Sequence, residues 1–148
     1  MIEYALAAAA HYDPLVVAGA EVAAYLDGRR NVTVVRNDEP QRGMSHSLEL
    51  ADSAIAAEMP MVVLLGDKPL VSCDLVQAVC DGAGEADFVY PVRDREPGHP
   101  VWLSPKARSF IATLPSGDTL RRLRDNPQLR VRAIETDDAG ATFDVDAI

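Results

Sequence analysis

Short aliphatic runs alternate with helix-forming stretches along the chain. The predicted strand at 61–65 contains Val62-Val63-Leu64-Leu65, a run without polar positions that is typical of a strand buried on both faces of a parallel sheet. Further strands are predicted at 15–18, 31–35 and 88–92, and helices at 2–11, 20–26, 45–56 and 72–81. This alternation predicts an α/β fold with a mostly parallel, Rossmann-like sheet and helices on both of its faces.

The last third of the chain has a different pattern. An apolar segment predicts a strand at 100–103, and Pro105 stands at the start of a predicted helix, 105–114. A basic helix is predicted at 118–125, and the alternation of apolar and polar residues at 129–135 predicts a strand with one solvated face. No repeat, low-complexity tract or linker divides the sequence, so we expect residues 1–148 to form a single domain.

Charge and composition narrow the possible partners. The 148 residues carry a formal net charge of −9, with a pI near 4.7, whereas binding to nucleic acid or to an anionic membrane needs excess Lys and Arg. No apolar run approaches the roughly 20 residues of a membrane span. Cys73 and Cys80 lie about two turns apart on one predicted helix, too far apart for a disulfide, which predicts reduced thiols in a cytoplasmic protein.

An acidic residue comes directly after the central strand. The segment Gly66-Asp67-Lys68-Pro69 ends the aliphatic run, so Asp67 stands at the carboxyl end of a strand, where open α/β sheets bind their ligands. A carboxylate in that position suits Mg²⁺ that bridges to substrate phosphates. Gly, Asp and Pro also form turns, so the pattern alone leaves a metal site and a plain turn both open.

Five short motifs extend this picture over nearly the whole chain. They are Asn-Asp-Glu-Pro-Gln-Arg-Gly-Met-Ser-His-Ser-Leu at 37–48, Leu-Leu-Gly-Asp-Lys-Pro-Leu at 64–70, Gly-His-Pro-Val-Trp at 98–102, Ser-Gly-Asp at 116–118 and Phe-Asp-Val-Asp at 143–146. Their order and spacing resemble those of the molybdopterin cytidylyltransferase-like, or MobA-like, NTP transferases. The resemblance implies the glycosyltransferase-A-like nucleotidyltransferase fold of that family.

The same resemblance implies a nucleotidyl transfer. A phosphate-bearing acceptor such as molybdopterin attacks the α-phosphorus of CTP or GTP, pyrophosphate leaves, and Mg²⁺ with nearby cations neutralises the charge. Asp67 and Asp146 are implied as catalytic residues, and Asp144 joins them as a metal ligand on the same strand face as Asp146. The residues implied to bind the nucleotide or the pterin-type acceptor are Asn37, Gly43, Ser45, Ser47, Gly66, Pro69, Gly98, His99 and Pro100.

Several of these positions also have a purely structural interpretation. Asp144 and Asp146 are otherwise a solvated acidic tail. Ser45 is otherwise only the N-cap of its helix, a role for which a backbone-binding hydroxyl is well suited. His99 either binds the acceptor or fixes the turn before a strand. The sequence leaves these alternatives open.

Other residues near the motifs are expected to have no direct chemical role. We expect His46 to be a polar surface residue, and we expect Trp102 to pack in the core rather than to form a pocket wall. The basic residues Arg121, Arg122 and Arg124 are expected to form a solvated helix face. Lys68 adds a single positive charge beside Asp67.

The chain also differs from the family it resembles. These transferases open with a strand and a glycine-rich loop, Leu-Ala-Ala-Gly-x-Ser-x-Arg-Met-Gly-x-x-Lys, which surrounds the triphosphate, whereas residues 2–10 match the family's helix after that loop. We therefore expect a domain truncated at its N-terminus relative to the family, without the first strand and loop. Because neighbouring strands would keep unpaired edges, we expect an upstream segment, a homo-oligomer, a partner chain or a rearranged sheet to cover the gap.

Three functions stay open at this point. The first is an active nucleotidyltransferase of molybdenum-cofactor type, and the second is a degenerate relative that binds a nucleotide or pterin, or serves a partner, without catalysis. The third is a sugar-nucleotide enzyme of the glycosyltransferase type, disfavoured because such enzymes usually carry Asp-x-Asp after the central strand. The resemblance favours the first, and the missing loop favours the second for the chain taken alone.

Overall fold

The computed structural model describes residues 1–117 and 119–145, in which strands and helices alternate much as predicted. The α-helices are α1 (Ile2–Ala8), α2 (Ala20–Leu26), α3 (Met44–Ala54), α4 (Cys73–Asp81), α5 (Pro105–Arg108) and α6 (Leu120–Arg124). The strands are β1 (Leu15–Ala18), β2 (Thr33–Arg36), β3 (Met61–Val63), β4 (Phe88–Arg93), β5 (Glu96–Pro97), β6 (Val101–Leu103) and β7 (Val131–Glu135). Short 3₁₀ turns lie at Pro40–Arg42, Ile111–Thr113 and Ala139–Ala141.

The strands of the described residues form two separate sheets. β1 and β2 pair with each other in parallel. In the larger sheet β4 pairs in parallel with β7 and antiparallel with β5 and β6, and β6 pairs antiparallel with β3. The predicted α/β class, with parallel strand pairs, is confirmed. The sheet is more mixed than alternation alone predicts, because Asp94 and Arg95, with φ of 50° and 68°, turn the chain back after β4 as in a type I′ hairpin.

Both faces of the larger sheet are covered by helices. Phe88 of β4 faces the main core, to which α3, α5 and α6 contribute Leu48, Ala107 and Leu123. Val89, the next residue, faces the opposite side and packs with residues of α4 and the loop after it. The period of two along β4 therefore places alternate residues in two apolar layers, as an α/β sheet requires.

Some helices are shorter than the sequence predicted. α1 ends at Ala8, and the predicted helix 105–114 is divided into α5 and a 3₁₀ turn. At the division the N–H groups of Ser109 and Phe110 donate to carbonyls three residues back, those of Lys106 and Ala107, which tightens the backbone. The tighter turn brings Ile111, which has no exposed surface, into the main core.

The two sheets are held together by helices rather than by strand pairing. Within residues 1–117 and 119–145, no backbone pairing joins β1 to β3. α1 packs against α4, and α3 contacts both β1 and β2. The expected unpaired edge therefore lies between β1 and β3. Among the described residues, no helix has both the length and the apolar composition to cross a membrane.

Candidate functional site

The turn at 66–69 comes after β3 and gives neighbouring side chains opposite environments. The Lys68 N–H donates to the Leu65 carbonyl at 3.3 Å, and the Lys68 carbonyl accepts from the Val71 N–H at 3.4 Å. Asp67 is exposed, and its carboxylate has no hydrogen-bond or ion-pair partner in the described part of the chain. Lys68 is only 7% exposed. The segment is thus a turn in conformation, and the turn leaves the Asp67 carboxylate open to a ligand.

The end of the chain returns to this turn. The Val145 N–H donates to the Asp67 carbonyl at 3.1 Å, and the Lys68 ammonium donates to Oδ1 of Asp144. Lys68 and Asp144 are 76 residues apart in the sequence. Their pairing brings the Gly-Asp-Lys-Pro turn and residues 143–145, the described part of the Phe-Asp-Val-Asp motif, to one place.

Two glycines allow the segment 138–145 to lie this close. A Cβ atom on Gly98 would overlap the carbonyl group of Ala141, and a Cβ atom on Gly140 would overlap the carbonyl group of Leu70. A side chain larger than hydrogen would therefore push the segment away from the loop before β6 and from the turn after β3.

His99 lies beside these acidic residues in a mostly buried position. The backbone N–H of His99 donates to the Ala141 carbonyl at 2.9 Å, and the peptide bond between His99 and Pro100 is cis. Burial, together with the Lys68 charge, lowers the pKa of His99 to about 4, although Asp67 and Asp144 oppose the shift. The imidazole is therefore neutral near pH 7, and its buried Nδ1 atom has no partner among the described residues.

A cavity of about 240 Å³ opens next to His99. Phe88 and Tyr90 form an aromatic wall, with ring centroids 5.8 Å apart in an edge-to-face arrangement. Arg124 also lines the cavity, and its guanidinium lies 5.5 Å from the Tyr90 ring centroid. The cavity thus combines aromatic surface, a cation and a neutral imidazole, which suits a planar organic ligand that carries a negative charge.

The loop at 37–48 forms a second part of the site. Asn37 is 5% exposed; its side-chain amide donates to the Ser47 hydroxyl at 3.1 Å and accepts from the Glu39 N–H at 2.9 Å. Gly43 has φ of 83° and is the N-cap of α3. A Cβ atom on Gly43 would lie 3.1 Å from Gly117 Cα. The loop is therefore fixed internally and packed against the segment around Gly117.

The structural alternative for Ser45 and the expectation for His46 are both wrong. Ser45 is not the N-cap, because α3 already begins at Met44; instead the buried Ser45 hydroxyl accepts a hydrogen bond from the Gly117 N–H at 3.1 Å. His46 is not a surface residue, since its side chain is only 13% exposed, with its Nδ1 atom 3.7 Å from a Glu49 carboxylate oxygen. Gly43 ends the preceding 3₁₀ turn, so the first turn of α3 begins before Ser45 rather than after it.

The structure therefore gathers the implied residues into two groups. Asp67, Asp144, His99 and the residues that shape their backbone form one group, completed by Gly66, Pro69, Gly98 and Pro100. Asn37, Gly43, Ser45 and Ser47 form the other. Met44, next to Gly43, lines the same cavity as His99 and so connects the groups. Asp146 and Asp118 lie outside the described residues.

Three residues at the site had no predicted role in binding. Lys68 is bonded to Asp144, Tyr90 lines the cavity, and Arg124 lies over that ring with a side chain only 21% exposed. The expectation of a solvated face is thus wrong for Arg124, while Arg121 is exposed as predicted. The sequence signal for Arg124 is its spacing, because it lies four residues after the buried Leu120 and so on the same face of a helix that packs into the core. Trp102 packs against the α4 side of the sheet, as expected.

The acidic residues suit a divalent cation only in part. Among residues 1–117 and 119–145, no three His, Cys, Asp or Glu side chains form a cluster that could hold a metal ion. Asp67 offers a free carboxylate, whereas the Asp144 carboxylate is bonded to Lys68. Mg²⁺ is often held by one or two carboxylates together with substrate phosphates. The described residues therefore suit a metal that arrives with a phosphate ligand.

Known structures with the same fold include nucleotidyltransferase-related proteins. The homologue of Mycobacterium tuberculosis Rv0371c from Mycobacterium sp. strain JC1 has 24% identity and a TM-score of 0.73, over 89% of this chain and 72% of that one. The manganese complex of Rv0371c from M. tuberculosis H37Rv has 24% identity and a TM-score of 0.73, over 91% and 75%. Molybdopterin-guanine dinucleotide biosynthesis protein A from Archaeoglobus fulgidus has 15% identity and a TM-score of 0.69, over 97% and 77%.

At these identities the structural neighbours establish the fold alone. No curated protein sequence is significantly similar to the chain. The family model described as "MobA-like NTP transferase domain" matches residues 1–133, which is most of the chain. This match confirms the resemblance that the five motifs indicated, and it shows that the chain belongs to the MobA-like NTP transferase family.

Proposed function

We propose that this nucleotidyltransferase-family protein transfers a nucleoside monophosphate from CTP or GTP to a phosphate-bearing, pterin-type acceptor such as molybdopterin. The observation that carries the proposal is the position of the Asp67–Lys68 turn, Asp144 and His99 beside a cavity lined by aromatic and cationic side chains. In the reaction, an acceptor phosphate oxygen forms a bond to the α-phosphorus, and the bond to the β-phosphate oxygen breaks to release pyrophosphate.

The turn at 66–69 offers a carboxylate ligand for a metal ion that is bound to the triphosphate. Mg²⁺ supplies charge neutralisation at the triphosphate when it is bound with the nucleotide. The exposed Asp67 carboxylate would hold it, and we propose that Asp146 is a second acidic ligand and catalytic residue. Lys68 adds a positive charge that is fixed by its bond to Asp144. A fixed charge stabilises a developing negative charge without reorganisation during the reaction.

The cavity beside His99 suits the acceptor. Tyr90 offers a ring face for stacking, and Arg124 offers a cation for the acceptor phosphate. The His99 imidazole is neutral and its Nδ1 atom is unpartnered among the described residues, so it can exchange a hydrogen bond with a ring nitrogen or a phosphate oxygen. Gly98 and Pro100 shape the loop that holds the imidazole.

The loop at 37–48 is the proposed nucleotide-binding surface. Asn37 and Ser47 are bonded to each other and Ser45 is bonded to Gly117, so the loop holds its shape before ligand binding. The first turn of α3 adds N–H groups near the cavity, because Met44 lines it. Gly66 and Pro69 are the first and last residues of the turn after β3. This arrangement lets a nucleotide lie between the loop and the acidic turn.

A second candidate is a binding protein without turnover. It is supported by the ion pair between Lys68 and Asp144, since only the Asp67 carboxylate is then free among the described acidic residues of the site. Such a protein would present a nucleotide or pterin to a partner. We further propose a cytoplasmic location, and a second copy or a partner chain whose strand pairs with the open edges of β1 and β3.

Pyrophosphate release by the purified chain tests the proposal. We expect release from CTP or GTP when Mg²⁺ and molybdopterin are both present. Replacing the free carboxylate in Asp67→Asn is expected to lower the rate by about 100-fold or more, because it removes the ligand proposed to hold the metal at the phosphates.

Asp27→Asn provides the matched control. Asp27 is exposed at the end of α2 and has no described side-chain partner, so the variant should retain the wild-type rate. Binding of CTP or GTP by calorimetry without any pyrophosphate release would support the second candidate. If neither binding nor release occurs with any of the four common ribonucleoside triphosphates, and molybdopterin does not bind either, both candidates are wrong.

A further inference from the structure

Lys68 lies in an unusual position for a lysine. It is 7% exposed, whereas Leu70, two residues later in the same turn, is 51% exposed. Long charged side chains are normally found at the surface and leucines inside. Lys68 and Lys106 are the only two lysines in the sequence. A buried ammonium is tolerated when a charged partner compensates it, and here that partner is the Asp144 carboxylate.

We propose that Lys68 is a built-in cation of the acidic site, which holds Asp144 and thereby keeps a free divalent metal from binding until a phosphate ligand accompanies it. This inference deepens the proposed function and rests on it, because it assigns a specificity role to a residue in the same site. The expected behaviour of the metal alone is nevertheless measurable without turnover.

Both partners of the ion pair are fixed through their backbones. The Lys68 N–H and carbonyl are bonded within the turn, to Leu65 and Val71. Val145, the residue after Asp144, donates its N–H to the Asp67 carbonyl at 3.1 Å. The Lys68 half of the pair is buried, whereas the Asp144 side chain is 51% exposed. The backbone bonds on both sides reduce the entropy that the side chains lose on pairing, which is what limits most exposed ion pairs.

Charge and ligand number then disfavour a metal without a phosphate. Lys68 neutralises one of the two described carboxylates at the site, so less negative charge remains to attract a divalent cation. Only the Asp67 carboxylate is left free in the described part of the site. One carboxylate surrounded by water holds a divalent cation weakly, whereas the oxygens of a triphosphate supply further ligands. Metal binding is then coupled to nucleotide binding.

Lys68→Gln tests the inference directly. The substitution removes the charge and keeps a polar side chain of similar length, so the Asp144 carboxylate becomes available to a metal. We expect Mn²⁺ alone, monitored by the loss of its free-ion electron paramagnetic resonance signal, to bind at least about 10-fold more tightly than to wild type. The gain should disappear in the double variant Lys68→Gln, Asp144→Asn.

Lys106→Gln is the matched control. Lys106 is the other lysine, its side chain is 57% exposed, and the substitution changes the net charge by the same amount. It should leave Mn²⁺ affinity close to that of wild type. Lys68→Met provides a second neutral variant if Lys68→Gln does not fold, as judged by circular dichroism.

Two results would overturn the inference. One is a wild-type protein that binds Mn²⁺ alone as tightly as the neutral Lys68 variants do. The other is a gain in affinity that persists when Asp144 is also replaced, because the released carboxylate would then not be its cause. Neither result depends on pyrophosphate release, so a failure here is distinguishable from a failure of the proposed transferase activity.

Discussion

Asp87 is a buried carboxylate away from the candidate site, and it joins three strands. Its Oδ1 atom accepts from the Ser104 hydroxyl at 2.8 Å, and its Oδ2 atom accepts from the Arg130 N–H at 3.0 Å. Asp87 precedes β4, Ser104 lies just after β6, and Arg130 precedes β7. Both carboxylate oxygens are thus satisfied, which a buried charge in a stable core requires.

The pH dependence of stability should report on Asp87. Burial by itself raises the pKa of Asp87, but the hydrogen bonds from Arg130 and Ser104 and the nearby Lys106 charge outweigh it, so the pKa lies below its ordinary value. A lowered pKa in the folded state means that the ionised form favours folding. The contribution is present above the unfolded-state pKa of about 3.9 and is lost as the pH falls through the folded-state pKa.

Asp87→Asn makes this contribution measurable. We expect the variant to be less stable by about 1 to 3 kcal/mol near neutral pH, because a charged acceptor of two hydrogen bonds is removed. The difference from wild type in urea unfolding should shrink as the pH falls below about 4. A difference that stays constant down to about pH 3 would show that the charge of Asp87 does not matter.

The sequence predicted some of these residue-scale features and missed others. The position of Asp67 just after a strand was predictable, because the run of aliphatic residues before it is a local signal. The bond between Lys68 and Asp144 was not, because it depends on where the chain end docks, 76 residues later. Arg108 is a similar case: it is 3% exposed and bonds to the carbonyls at the end of α3, over 50 residues away in sequence. Bonds between residues far apart in the sequence do not affect the local pattern of apolar and polar residues.

At the scale of elements, the docking of segment 138–145 decides whether the site assembles. The segment is anchored by Asp138, whose Oδ1 atom accepts from the Gly140 N–H at 2.8 Å and whose Oδ2 atom accepts from the Ser72 hydroxyl at 3.2 Å. Ser72 also caps α4, because its hydroxyl accepts from the Leu75 N–H at 3.1 Å. Segment 138–145 is therefore anchored to the start of α4.

Gly98→Ala should displace this segment. The new methyl group would meet the Ala141 carbonyl, and backbone on both sides leaves little freedom to move. We expect a loss of about 1 to 3 kcal/mol in urea unfolding. We also expect lower pyrophosphate release, because Asp144 lies directly beyond the displaced residues.

Gly19→Ala separates this effect from the general cost of replacing glycine. Gly19 precedes α2 with φ of −67°, and a Cβ atom there would meet no atom within 4 Å. Its cost should stay below about 1 kcal/mol, the difference between glycine and alanine at an N-cap. Equal losses for the two variants would contradict the proposed clash.

Element types were easier to predict than their arrangement. The strands at 15–18 and 88–92 and the helices α2 and α4 are predictable from periodicity and caps, and the structure confirms them within a residue or two. The position of β6 was not predictable, because an apolar run such as 100–103 does not encode its partner or direction. The turn at Asp94 and Arg95 and the burial of Val101 and Leu103 in the main core determine the partner and direction of β6.

At the scale of the whole molecule, the two sheets differ in how well they are buried. All four residues of β1 are partly exposed, and β2 has exposed residues at both ends. In β4, by contrast, Phe88, Val89, Pro91 and Val92 are all buried. A sheet of two strands is marginal without a buried face, so the β1–β2 pair depends on α2 and α3 for its stability.

Native-state hydrogen exchange should resolve the two sheets as separate units. Amides of β1 and β2 lie in a small, partly exposed pair, so we expect them to exchange through local opening at a lower free energy than amides of β4, which pairs with β6 and β7. Mass spectrometry of peptides covering 15–18 and 88–93 measures the contrast. Equal protection in both peptides would mean that the β1–β2 pair opens only with the whole molecule, and that the gap between β1 and β3 does not divide the fold energetically.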